Sequence, residues 1–152
     1  MFKRLIHGIF WLGLSVGVSG ALTACAADSA SSANAHAHYA MAALEDMPAE
    51  VQAAPVRTSE AYQFAVANRE IAEQIPCYCG CSALGHTSSY GCYVAGVNDD
   101  GSLKYDLHAV NCGICVDITQ DTMRLLEAGQ SPGEIKAFVD KTYAKFGPST
   151  GP

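Results

Sequence analysis

Residues 75–81 read Ile-Pro-Cys-Tyr-Cys-Gly-Cys, and the proline among them decides how the chain is organised. Upstream, Ser59-Glu60 has the features of a helix start, and Ala61, Phe64, Ala65, Ile71, Ala72 and Ile75 recur close to one face at helical spacing. Pro76 has no amide hydrogen and a fixed φ, so the helix stops there. Cys77, Cys79 and Cys81 therefore follow in an irregular segment at the helix's carboxyl end, leading to a loop that holds His86 and Cys92.

Beyond that loop, Tyr93 to Val97 and Leu103 to Leu107 can pair as short strands around Asn98-Asp99-Asp100-Gly101, a turn sequence. Cys112-Gly113-Ile114-Cys115 then opens a second helix whose apolar stripe is Cys115, Ile118, Thr122, Leu125 and Leu126, closed by Gly129. Ser131-Pro132-Gly133-Glu134 has the form of a capping box with proline at the first helical position. Ile135, Phe138, Val139, Thr142 and Phe146 line the third helix. The short Gly129-Gln130 link forces the last two helices side by side. The expected fold is mainly α: a small cysteine-rich domain of about three helices, residues 59–147, with an irregular loop or short β-hairpin in the middle.

The flanks read differently. Lys3 and Arg4 precede the apolar run Leu5 to Val18, which is too short for a comfortable span of about 20 residues and ends in Leu22-Thr23-Ala24-Cys25. That tetrapeptide resembles a bacterial lipobox, which implies a signal peptide at 1–24 and a lipid anchor on Cys25. Residues 25–58 are expected to be a lipidated, flexible tether, because Ala26 to Thr58 is rich in Ala and Ser and shows no sustained apolar period. His36, His38, Met41 and Met47 within it read as part of a solvated spacer, and 148–152 as a disordered tail. The expected location is extracytoplasmic, on a bacterial membrane held through that lipid.

Removal of residues 1–24 takes Lys3 and Arg4 away and moves the formal net charge from −6 to −8. An acidic surface of that kind argues against nucleic acid as a partner. Of the seven cysteines, six remain once Cys25 is set aside, in a compartment where thiols oxidise unless a metal or a reductant holds them.

Those six read C-x-C-x-C, ten residues to Cys92, nineteen more to Cys112, and C-x-x-C. Such short spacing lets sulfurs converge on one soft cation, so Cys77, Cys79, Cys81, Cys92, Cys112 and Cys115 are candidate metal ligands. His86 and His108, each in a loop near a cysteine, are the natural nitrogen ligands. The leading expectation is a soft metal ion, Cu(I) slightly ahead of Zn(II), bound for envelope metal handling or metal-site assembly. The rival is a thiol-disulfide oxidoreductase, with Cys112 at a helix amino terminus as attacking thiolate and Cys115 as resolver. A third reading is three disulfides stapling a small exported fold. Envelope metal-transfer or redox proteins are the implied partners. No serine nucleophile elbow, phosphate loop or zinc-protease motif is present, so no catalytic residue is assigned outside the redox alternative.

Pro76-Cys77-Tyr78-Cys79-Gly80-Cys81 resembles the signature of the PCYCGC-motif bacterial lipoproteins. The likeness extends through Gly85-His86, Cys92, His108, Cys112 to Cys115 and the Gly129 to Tyr143 segment. It implies a lipid-anchored envelope protein and no particular reaction. A weaker likeness joins the last two helices, with the C-x-x-C before them, to the thiol-reducing subunit of cytochrome c maturation; this chain adds C-x-C-x-C and lacks that family's carboxyl-terminal membrane helix.

Overall fold

A computed structural model describes residues 39–151; residues 1–24, expected to be a signal peptide, Cys25, His36 and His38 lie outside the described residues, as does the side chain of Cys81. The chain is mainly helical with one small antiparallel sheet. Among the described residues the helices are α1 (Ala49–Gln52), α2 (Val56–Ala67), α3 (Arg69–Ala72), α4 (Gly113–Glu127) and α5 (Pro132–Tyr143). Strands β1 (Val94–Val97) and β2 (Leu103–Tyr105) form the expected hairpin. Helix α4 is the centre of the packing, with α2 against one side and α5 against another.

The first expected helix is present but divided. It begins at Val56 behind Pro55, three residues before the expected start, and Ser59 is buried inside it with its hydroxyl donating to the Val56 carbonyl. Asn68 breaks it: its side-chain amide donates to the Phe64 carbonyl and to Ala40 O, and its Oδ1 accepts from the Ala40 amide. A side chain that bonds to a carbonyl in the helix's last turn and ties down a distant stretch of backbone competes directly with helix continuation.

Those Asn68 bonds correct the expected tether. Residues 44–46 form one 3-10 turn, α1 follows, and Met47 and Val51, four residues apart, are buried in the core. Tyr39 stacks edge-on with Phe64 at 5.1 Å, and its hydroxyl donates to Glu127. The folded domain thus takes in at least residues 39–58 as well, because a modest core gains from every apolar side chain brought under it.

Helix α4 buries Cys115, Ile118, Thr122, Leu125 and Leu126, the expected stripe. Helix α5 carries both halves of the capping box, with the Glu134 amide donating to Ser131 Oγ and the Ser131 amide donating to Glu134. Its buried face is Ile135, Val139 and Tyr143; the helix ends before Phe146, which is half exposed rather than part of the stripe. In the hairpin, a bulge between Val94 and Gly96 shortens the regular pairing. Tyr93 is turned fully inward, edge-on to Tyr62 at 4.9 Å. No helix among the described residues is long and apolar enough to cross a membrane.

Candidate metal centre

Three separate segments deliver cysteines to one place. Cys77 and Cys79 come from the irregular run after α3, and Cys92 ends the 3-10 turn Tyr90–Cys92. Cys112 is the N-cap of α4 and Cys115 lies in its first turn. The sulfurs of Cys77, Cys79, Cys92 and Cys115 all lie within 4.8 Å of one another. A second set, Cys79, His108, Cys112 and Cys115, meets the same limit and shares two members with the first. Cys77, Cys92 and Cys115 have no exposed surface.

The measured separations decide what these thiols are to each other. Cys77 Sγ lies 3.2 Å from Cys79 Sγ and 3.6 Å from Cys115 Sγ. A disulfide needs about 2.05 Å, and none of the five described cysteines is in one. Thiolates on a tetrahedral Zn(II) with Zn–S near 2.3 Å sit roughly 3.8 Å apart, close to what is observed.

The thiols also set one another's protonation. The Cys115 contact holds the Cys77 thiol below its ordinary pKa, and the same contact, followed by those to Cys79 and Cys92, pushes Cys115 up. Cys92 is drawn down by Cys115, but its contacts with Cys77 and Cys79 and its burial outweigh that and leave it raised. Burial disfavours the charged form, and adjacent thiolates repel. Without a cation the thiols share protons among themselves: Cys77 donates to Cys79, and either partner can donate in the Cys77–Cys115 contact.

The surrounding polar groups fix this arrangement. Tyr93 has one hydroxyl proton, and the Cys115 carbonyl at 2.8 Å can only accept it; Thr119 at 2.7 Å must then donate to Tyr93. Asp106 Oδ1 accepts the His108 amide, and its Oδ2 lies 3.2 Å from His86 Nε2. The Asp106 backbone carbonyl accepts the Tyr62 hydroxyl, which ties the histidine loop to α2.

Of the sequence-predicted residues, the structure brings together Cys77, Cys79, Cys92, Cys112, Cys115 and His108. His86 belongs to neither set of four. It is buried against Asp106, its ring edge-on to that of His108 at 5.8 Å, with Nδ1 lacking a hydrogen-bond partner. It lines an open cleft of about 540 Å³ with Arg69, Glu73, Tyr90 and Asp106.

Sequence reasoning missed the clamp on the motif, since the expected disordered tail is packed on it. The Cys77 amide donates to Thr150 Oγ1 at 2.8 Å, and the Thr150 amide donates back to the Cys77 carbonyl at 2.9 Å. Tyr78 donates to Asp140 of α5. A Cβ on Gly147 would stand 3.0 Å from the Tyr78 carbonyl oxygen, tighter than ordinary contact, so glycine eases the close approach of the two backbones. Gly80, at φ +81°, turns the chain between Cys79 and Cys81 in a conformation that favours glycine.

Compared with known proteins, residues 14–151 match the family described as "Protein of unknown function with PCYCGC motif". No curated protein and no solved structure matches.

Thr150→Val keeps the shape but removes the acceptor for a buried amide, which costs about 1–3 kcal/mol. Chemical denaturation should show that loss; an unchanged midpoint would mean that the tail does not hold Cys77.

Proposed function

The chain belongs to the PCYCGC-motif family, and on that premise we propose that its domain is a metal-binding module rather than an enzyme, displayed outside the cytoplasm on a lipid carried by Cys25. The observation that carries the metal reading is the convergence of Cys77, Cys79, Cys92 and Cys115 within 4.8 Å, three of them fully buried. Soft thiolates at that density favour Cu(I) or Zn(II) over hard cations. The two sets are Cys₄ and Cys₃His, both of them ligand compositions of closed zinc sites, which supports Zn(II) over Cu(I) in this reading and reverses the order suggested by spacing alone. The role is metal handling or metal-site assembly in the envelope, with metal-transfer proteins there as partners.

A dithiol oxidoreductase confined to Cys112 and Cys115 accounts less well for the site. Cys115 is fully buried and its sulfur contacts Cys77, so a resolving role would leave Cys77, Cys79 and Cys92 convergent without purpose. The lipid proposal rests on the positive start, the short apolar run and Leu22-Thr23-Ala24-Cys25.

Metal affinity in a small domain is folding free energy, and each thiol must lose its proton to bind. At free Zn(II) a hundredfold above Kd, the unfolding free energy of the anaerobically purified chain should rise by about 2.7 kcal/mol, less as pH falls. Replacing Cys77, Cys79 and Cys115 by serine should abolish that rise. A native chain that is fully oxidised and indifferent to both Zn(II) and Cu(I) contradicts the proposal.

Cys25→Ser should lose labelling by a fatty-acid probe and appear in the soluble fraction. Retention of the label on that variant would refute lipidation at Cys25.

A further inference from the structure

The two sets of four share Cys79 and Cys115, and from that overlap we infer that the centre holds two metal ions side by side, bridged by these two thiolates. This deepens the metal-binding reading and rests on it. The inner ion takes Cys77 and Cys92 as its own ligands; the outer ion takes His108 and Cys112. Each ion is then four-coordinate although the residues number only six, because two sulfurs are counted twice. A thiolate has lone pairs enough to bind two cations, which a histidine nitrogen does not. The shared positions are both cysteines, as bridging requires.

Burial and charge agree with this arrangement. Cys77, Cys92 and Cys115 have no exposed surface, whereas Cys79, His108 and Cys112 are partly exposed, so the outer position faces the approach from solvent. Buried charge is tolerated only when it is paired. One divalent ion on the four thiolates of the inner set leaves a net charge of −2, whereas two divalent ions on all five thiolates leave −1. The ligands also come from elements that are held independently. Tyr93 fixes the Cys115 backbone, Asp106 fixes that of His108, and Thr150 fixes that of Cys77, so the two halves can fill without rebuilding each other.

The test is 113Cd NMR with native mass spectrometry on the full chain, purified anaerobically and loaded with 113Cd(II) as a soft tetrahedral probe, with Zn(II) loaded in parallel. Two bound ions are expected, giving two 113Cd resonances of equal intensity, each split by coupling to the other through the shared sulfurs. The double variant His108→Phe/Cys112→Ser alters only partly exposed ligands of the outer ion. It should keep one ion and one unsplit resonance, with the helical circular dichroism of the parent. One ion in the parent chain overturns the two-ion inference and leaves the metal-binding reading standing. Two uncoupled ions overturn the bridging. No bound ion of either metal overturns both.

Discussion

Three thiols with no exposed surface stand within touching distance of one another in the interior of a small acidic domain, and that crowding constrains everything around it. Sulfurs so close cannot ionise together in a low-dielectric interior without a cation, and the observed separations are too long for them to be bonded. Without a cation the thiols hold protons between them, with Cys77 donating to Cys79, and a bound cation would take the place of those protons.

The fold serves that constraint by bringing distant segments together rather than by building a large core. Helix α4 supplies Cys112 and Cys115 from its amino end and is gripped on two sides by α2 and α5. Tyr93 spans from the hairpin to the Cys115 carbonyl, and Asp106 at the far end of the same hairpin orients the His108 loop. The carboxyl-terminal residues close over Cys77 through paired backbone and side-chain bonds. The Tyr93–Cys115 and Cys77–Thr150 contacts join residues far apart in sequence, so ordering the site and ordering the fold are the same event.

That division explains what could be read in advance. Helix α4, the capping box of α5, the hairpin turn and the C-x-C-x-C and C-x-x-C clusters are local patterns, and local patterns are legible in one sequence. The choice between His86 and His108 was not, since both are loop histidines near a cysteine and only the tertiary fold sets His108 beside Cys79, Cys112 and Cys115 while His86 turns to Asp106. Nor was the packing of residues 39–58 visible in their Ala-rich composition, although Met47 and Val51 stand one helical turn apart. Asn68 could be read only as a helical position until its partner Ala40 was known.

The central claim is that these sulfurs are a metal centre, and zinc-edge X-ray absorption on the chain purified without added chelator tests it most directly. The account predicts a first shell dominated by sulfur at about 2.3 Å with a minor nitrogen contribution. A shell of oxygen and nitrogen alone, as surface carboxylates would give, or a chain that takes up zinc with its cysteines still open to alkylation, would contradict it.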